Sequence, residues 1–239
     1  MALWVYRALG ALLQKSGSRE GAEGAQCHLC PQVIAVSHVI SKPAMNIWLI
    51  RHGETEWSKS GRHTGTTDVA LTEQGRRQAS ALPSLLSTQA FDLVLTSPMQ
   101  RAIDTCRLAG LGEQAQVEPD LHEWNYGVYE GRKTADIREE VPDWSVWTSP
   151  IPEGESAAQV GTRAQRLIDR LLSRESAHIA LFSHAHFLRA LAAVWTTGEP
   201  SMGAHLALDT AAVGVLGFER EVRVIAKWNL QQSVDQPAR

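Results

Sequence analysis

Cysteine is scarce in this 239-residue sequence, which contains only Cys27, Cys30 and Cys106. An odd, small number of cysteines in a chain of this length does not form a disulfide framework and is typical of a reducing compartment, so we expect a cytoplasmic protein. Cys27 and Cys30 form a single CxxC pair. One such pair without a second half is a poor signal for a zinc or redox site, so we expect neither.

Positive charge and long apolar runs are also lacking. The formal net charge is -3, whereas binding to nucleic acid or to an anionic membrane needs clustered positive charge, so we expect neither partner. The apolar start MALWVYRALGALLQ is shorter than the roughly 20 residues that span a bilayer. Because no basic segment precedes it and no small-residue cleavage site follows it, it does not match a signal peptide.

The composition changes at Met45, where short apolar runs begin to alternate with helical periodicity. We therefore expect a poorly ordered N-terminal extension over residues 1–44, one folded domain over residues 45–230 and a tail over residues 231–239. With 44% apolar and 21% charged residues, the chain can bury a sizeable core.

The alternation of apolar runs and helices is the pattern of βαβ units. It predicts an α/β three-layer sandwich with a mostly parallel central sheet, helices on both faces and an antiparallel hairpin at one edge. The expected strands are 46–50, 91–96, 178–182, 212–219 and 222–228, the last two forming the hairpin around Arg220.

Helix signals fill the gaps between these strands. Thr72 is expected to cap a helix that runs to about residue 87 and is kinked or ended early by Pro83. Ser97 followed by Pro98 predicts a helix start, because serine accepts from free amides and proline at the first position loses no needed donor. Two longer apolar periodicities predict helices after Gly154 and after His184.

The residues directly after each strand carry the chemistry, because ligands of an open parallel sheet bind outside the carboxyl ends of its strands. Arg51 and His52 follow the first strand, Arg101 lies one turn into the helix after the second, and His184 follows the third. Arginine presents a planar fork of donors that suits phosphate oxygens, and an unprotonated histidine nitrogen is a nucleophile near neutral pH. Their coincidence at one edge therefore indicates phosphate chemistry.

Six segments of the chain resemble the histidine phosphatase superfamily, which includes cofactor-dependent phosphoglycerate mutases and many small phosphatases. They are LIRHGETEW from Leu49, GRHTGTTDVALTEQG from Gly61, LTSPMQRAIDT from Leu95, LHEWNYGVYEGR from Leu121, PEGES from Pro152 and FSHAHFLRAL from Phe182. The segment EWSKSGRHTG is similar to bacterial acid phosphatases and fungal sugar-bisphosphatases, which favours a phosphatase over a mutase.

The resemblance implies that His52 accepts the phosphoryl group and that Arg51, Arg101 and a protonated His184 complete the phosphate pocket. Glu123 matches the carboxyl group that gives a proton to the leaving oxygen and later activates water. The expected activity is hydrolysis of small phosphomonoesters through a phosphohistidine, with no cofactor and no metal. The expected partner is a small phosphorylated metabolite, and a homo-oligomer is left open.

Two further residues are candidates for substrate contact. Arg62 is expected to touch either the phosphate or the rest of the substrate, with a surface ion pair as the alternative. Ser58 stands where most relatives have asparagine, and its hydroxyl offers one donor to a phosphate oxygen in place of two. Glu130 and Gly131 are expected to shape the loop behind Glu123 and not to react, and Gly127 is expected to permit a tight backbone turn.

Three other functions have to be weighed against the phosphatase. A phosphoglycerate mutase would share the nucleophile and the pocket, but the chain has no long segment after its last expected strand. A metal hydrolase is suggested by His184-x-His186, but the neighbouring arginines are unfavourable beside a cation. A non-catalytic binding protein would not need every catalytic residue type, and all of them are present.

Overall fold

A computed structural model describes residues 45–232 of the chain. The expectations for the N-terminal extension, for the Cys27 and Cys30 pair and for the end of the tail lie outside these residues. Within residues 45–232, no helix is long and apolar enough to cross a membrane.

The centre of the fold is one sheet of six strands in the order β3-β2-β4-β1-β5-β6. The strands are β1 (Asn46–Arg51), β2 (Leu93–Thr96), β3 (Ala115–Val117), β4 (His178–Ser183), β5 (Val213–Glu219) and β6 (Val222–Leu230). Strands β3, β2, β4 and β1 are parallel, β5 is antiparallel to β1, and β5 and β6 form the expected hairpin. Arg220, in the turn between them, has a φ of 55°.

Helices cover both faces of this sheet, as expected. They are α1 (Glu56–Ser60), α2 (Glu73–Ala81), α3 (Pro83–Leu86), α4 (Gln100–Leu108), α5 (Thr134–Glu140), α6 (Ala157–Leu172) and α7 (Ala185–Thr197). Short 3-10 turns occupy Gly112–Gln114, Pro119–Leu121, Gly127–Tyr129 and Pro200–His205.

Alternate residues of the central strands face two separate cores. Ile47 and Leu49 of β1 pack with α6 and α7 on one face, whereas Trp48 and Ile50 pack with α3 and α4 on the other. Because side chains alternate along a strand, apolar residues at successive positions require cover on both sides. The three-layer prediction is confirmed in this arrangement.

Two helices behave as their sequence signals predict. Thr72 accepts from the Gly75 amide at the start of α2, and the helix ends before Pro83, where α3 begins. Ser156 and Gln159 form a reciprocal cap at the start of α6.

The predicted helix start at Ser97 and Pro98 is wrong by two residues, because α4 begins at Gln100. Its first amide is capped from a distant loop, where both carboxylate oxygens of Asp68 accept from the Gln100 N–H at 3.0 and 3.1 Å. The Ser97 hydroxyl accepts from the Met99 amide at 3.3 Å, just before the helix, and also lies 2.7 Å from Nε2 of His184. Strand β3 and helices α1 and α5 are short elements that were not expected.

The parallel strands end in register, and this register places the chemical residues side by side. Arg51 is opposite Ser183 across β1 and β4, and the His52 amide donates to the Ser183 carbonyl at 3.0 Å. The Ser97 amide donates to the Phe182 carbonyl at 2.9 Å. The residues that follow β1, β2 and β4 therefore meet at one edge.

Candidate active site

His52 lies at the bottom of a cleft of about 390 Å³, with 5% of its surface exposed. Its Nδ1 is 2.7 Å from the carbonyl oxygen of Gly53. A carbonyl only accepts, so Nδ1 carries the proton and Nε2 has the free lone pair. Burial, and then the charges of Arg51 and Arg101, hold the pKa of His52 well below its usual range. The ring is therefore neutral and nucleophilic at neutral pH.

Arg51 supplies positive charge in the same cleft. Its Nη1 donates to the Leu208 carbonyl at 2.6 Å, while its buried Nε has no hydrogen-bond partner among the described residues. Burial lowers the pKa of Arg51, and nearby Glu123 and Asp209 oppose that effect. A buried guanidinium with a free donor is suited to an anionic ligand.

His184 lies against His52, with the two ring centroids 5.2 Å apart. Both of its ring nitrogens are occupied: Nδ1 accepts from Nε of Arg101 at 3.1 Å, and Nε2 lies 2.7 Å from the Ser97 hydroxyl. Burial, followed by the charge of Arg101, places the pKa of His184 well below its usual range. This neutral ring differs from the protonated His184 that we expected, because an imidazolium cannot accept from arginine.

Arg101 is completely buried and holds a loop of its own chain. Beside its bond to His184, Nη1 donates to the Thr67 carbonyl at 2.9 Å, and Nη2 donates to the carbonyls of Thr64 and Gly65 at 3.1 and 3.0 Å. Four of its five N–H groups bind within the chain, and Arg101 is not among the residues that line the cleft, so this geometry does not favour the direct contact with phosphate that we expected. Its observed contacts fix the loop and His184.

Glu123 lines the cleft and is anchored by three backbone amides. Its Oε1 accepts from the amides of Trp124 and Phe187 at 2.9 and 2.8 Å, and Oε2 accepts from the His186 amide at 3.1 Å. Two of these amides belong to the first turn of α7, where free N–H groups favour a carboxylate. Oε2 accepts one of these bonds and Oε1 accepts two, so Oε2 has the greater capacity left for a proton.

Arg62 and Ser58 both line the cleft, with different outcomes for the two predictions. Arg62 is exposed and has no ion-pair partner within residues 45–232, so the surface ion pair that we considered as an alternative is not seen. The Ser58 hydroxyl donates to the Thr55 carbonyl at 3.0 Å and accepts from the Thr55 amide at 2.9 Å. Because this hydroxyl caps α1, its single donor is not free for phosphate.

A group of buried aromatic rings forms the wall beside Glu123. The Tyr126 hydroxyl is 2.6 Å from Nδ1 of His186, and the His63 ring lies 4.7 Å from the Tyr126 ring and 5.9 Å from the His186 ring. Burial lowers the pKa of His63 to about 4 and places the pKa of His186 well below its usual range. These rings are neutral packing and hydrogen-bonding groups at neutral pH.

The metal hydrolase alternative loses its proposed ligand pair. His184 faces Ser97 and Arg101, whereas His186 faces Tyr126, so the two imidazoles do not share a partner. Among the described residues, no group of three or more histidine, cysteine, aspartate or glutamate side chains is arranged to hold a metal ion.

Comparison with known families gives a match over nearly the whole described domain. Residues 47–231 match the histidine phosphatase superfamily, branch 1. The chain belongs to the histidine phosphatase superfamily. The resemblance seen in the six sequence segments is confirmed.

Relatives within this superfamily include named phosphatases. An acid phosphatase from Mycobacterium tuberculosis is 46% identical over 181 residues, which cover 74% of this chain and 89% of that protein. A sedoheptulose 1,7-bisphosphatase from Saccharomyces cerevisiae is 34% identical over 179 residues, covering 62% of this chain and 66% of that protein. A solved structure of an open reading frame product from Mycobacterium tuberculosis has a TM-score of 0.74 at 44% identity, and covers 78% of this chain and 98% of its own.

Because the chain belongs to this superfamily and its relatives are named phosphatases, it is a phosphoric monoester hydrolase. The predicted fold and the phosphatase class are both confirmed. We propose the roles of the individual site residues from their geometry below.

Sequence reasoning missed the residues that hold this site together. Buried Arg163 and partly buried Glu155 form an ion pair next to the segment that carries Glu123, with Nη2 and Oε2 2.9 Å apart. Glu130, expected only to shape a loop, accepts from the amides of Gly65 and Thr67 at 2.9 and 3.0 Å. Glu155 and Arg163 are eight residues apart, beyond the i,i+3 and i,i+4 spacings at which helical side chains meet, so the sequence gives no sign that they pair.

Proposed function

We propose that this phosphatase hydrolyses small phosphomonoesters through a covalent phosphohistidine on Nε2 of His52. The observation that carries the proposal is the bond from Nδ1 of His52 to the Gly53 carbonyl, which leaves Nε2 unprotonated in the cleft. The lowered pKa of His52 keeps the ring in this form at neutral and mildly acidic pH.

In the first step, Nε2 bonds to phosphorus while the bond from phosphorus to the ester oxygen breaks. The free donors of Arg51, together with Arg62, bind the phosphoryl oxygens. The negative charge on these oxygens is what needs most stabilisation in the transition state of phosphoryl transfer. Glu123 gives a proton from Oε2 to the departing oxygen, so the alcohol leaves neutral.

In the second step, water attacks the phosphohistidine and Glu123 takes a proton from it. The bond from Nε2 to phosphorus breaks, inorganic phosphate leaves, and His52 and Glu123 return to their starting forms. His184 and Arg101 lie behind the nucleophile, and we assign them the positioning of His52 and of the loop that carries Arg62.

The far wall of the cleft supports a substrate with a polar or anionic body, such as a sugar phosphate. Arg62 and Arg138 line it, and neither has a carboxylate partner within the described residues. Trp144 and Trp147, both largely buried, also line the cleft, and Nε of Arg138 donates to the Trp144 carbonyl at 2.9 Å. A panel of phosphorylated metabolites, with released phosphate as readout, selects among such substrates. We also propose a cytoplasmic location, consistent with these substrates.

The test of this function is to trap the phosphoenzyme. His52→Asn should lower turnover to background and abolish labelling by a phosphate ester after alkaline quenching, which preserves phosphohistidine. His205→Asn changes an exposed histidine on a 3-10 turn outside the cleft and is the matched control. Phosphate found on any other residue by peptide mass spectrometry, or near-normal turnover of His52→Asn, would make the proposed function wrong.

A further inference from the structure

Arg163, on α6, is buried behind the active site with only 4% of its surface exposed. Nε and Nη2 donate to the two carboxylate oxygens of Glu155 at 3.1 and 2.9 Å. Nη1 donates to the carbonyls of Asp120 and His122 at 2.9 and 2.7 Å, and Nη2 also donates to the Glu123 carbonyl at 3.4 Å. All five N–H groups of the guanidinium are therefore directed at the segment that carries Glu123 or at Glu155.

Glu155 fixes the same segment from its other side. Its Oε2 accepts from the Asn125 amide at 2.9 Å, its carbonyl accepts from Nε1 of Trp124 at 2.7 Å, and its own amide donates to the Asn125 carbonyl at 2.9 Å. The chain on both sides of Glu123 is thus held by one ion pair, of which the arginine is buried and the glutamate partly buried.

Arg163 also contacts the second support of Glu123. Its guanidinium lies over the ring of Phe187, 4.4 Å from the centroid. The Phe187 amide is one of the donors to the Glu123 carboxylate, at 2.8 Å. One side chain therefore contacts the backbone of Glu123 and the residue that anchors its carboxylate.

We infer that Arg163 and Glu155 are positioning residues for Glu123, which set the distance from its carboxyl group to the leaving oxygen of the substrate. This inference rests on the proposed function. Neither residue lines the cleft, so both act through Glu123 and not on the substrate. A displacement of about 1 Å in a catalytic group can cost about 10²-fold in rate.

Lysine cannot replace this arginine. An ammonium group has three donors and no planar fork, so Arg163→Lys keeps the charge but loses at least two of the five bonds. Glu155→Gln keeps the shape of the residue 155 side chain but removes its ion pair with Arg163. In both variants Glu123 is still present and ionisable, and only its placement changes.

The experiment compares two substrates that differ in their need for a proton. For Arg163→Lys and Glu155→Gln, kcat on an alkyl phosphate such as glycerol 2-phosphate should fall about tenfold or more. The kcat on p-nitrophenyl phosphate, whose leaving group needs little proton transfer, should fall less than about threefold, because nucleophilic attack by His52 is unaffected. Arg166→Lys, one turn along α6 and half exposed, alters an ion pair to Asp120 in the same segment and should leave both rates unchanged.

A double-mutant cycle separates positioning from general loss of structure. In a Glu123→Gln background, Arg163→Lys should have no further selective effect on the alkyl phosphate, because the proton it positions is gone. Equal slowing of both substrates, or additive effects in the double variant, would overturn the inference. If the wild-type protein shows no labelling of His52, the proposed function is wrong. Failure of the positioning role and failure of the proposed function therefore give different results.

Discussion

Arg101 donates its Nε–H to Nδ1 of His184 across 3.1 Å, and this bond places the remaining ring proton of His184 on Nε2. The Nε2–H then points to the Ser97 hydroxyl at 2.7 Å. The arginine after β2 and the histidine after β4 therefore form one buried unit, with the positive charge on Arg101 and a neutral ring next to His52.

The first prediction concerns this unit. Arg101→Lys retains a charge but cannot supply the four N–H bonds to His184 and the carbonyls of Thr64, Gly65 and Thr67. We expect kcat to fall about 10²-fold, the cost of displacing a catalytic group by about 1 Å. Steady-state kinetics on p-nitrophenyl phosphate measures it.

The control for this prediction is Arg107→Lys, at an exposed position near the end of the same helix. Its kinetics should match the wild type. If Arg101→Lys retains normal kcat, then the buried arginine serves stability alone and its link to His184 has no catalytic effect.

The second prediction concerns proton transfer by Glu123. Glu123→Gln removes the proton that we place on Oε2, so alkyl phosphates should be slowed by about 10² to 10⁴. p-Nitrophenyl phosphate should be slowed far less, because its leaving group departs as a stable anion. Parallel measurement of kcat on both substrates checks this, and equal slowing would assign Glu123 a purely structural role at the start of α7.

The third prediction is that activity survives chelation. Arg51 and Arg62 in the cleft, with Arg101 behind His52, supply the positive charge that a divalent cation would otherwise give. Turnover in excess EDTA should equal turnover in buffer alone. Loss of activity that a divalent metal restores would favour the metal-assisted chemistry that we set aside.

The same site shows what sequence can and cannot predict. His52, Glu123 and His184 follow strands or lie in recognisable segments, so strand order and the carboxyl-end rule suffice to bring them together. The partners of each polar group depend on distant chain segments. Asp68, for example, caps α4 at Gln100, two residues after the helix start predicted from Ser97 and Pro98.

The roles of arginines show the same limit. In the sequence, Arg101 lies in the first turn of a helix that follows a strand directly, whereas Arg163 lies further inside a longer helix. In the fold both are buried and bind backbone carbonyls, because each faces a loop whose polar groups need partners away from water. Burial of a charged side chain depends on the tertiary structure, so the sequence suggested phosphate contact for Arg101 and nothing for Arg163.

The last prediction is a loss of stability in acid that originates in His63. Burial lowers its pKa to about 4, while the charge of Glu130 acts in the opposite direction. In the unfolded chain its pKa is about 6.5. Above about pH 6.5 this ring is neutral in both the folded and the unfolded chain, so it adds no pH dependence to the free energy of unfolding. As the pH falls from 6.5 towards 4, the unfolded state takes up a proton that the folded state refuses, so the free energy of unfolding decreases by about 1.4 kcal/mol per pH unit from this group. The lowered pKa values of His52, His184 and His186 act in the same direction.

Urea unfolding at pH 7.5, 6 and 5 should show the decrease, and His63→Gln, which can keep a hydrogen bond to Thr134, should make it smaller by about 1 kcal/mol per pH unit. His205→Gln, at an exposed position, is the control and should follow the wild type. If the free energy of unfolding changes with pH in His63→Gln as it does in the wild type, then His63 is protonated in the folded chain and a hydrogen-bond acceptor stabilises its charge.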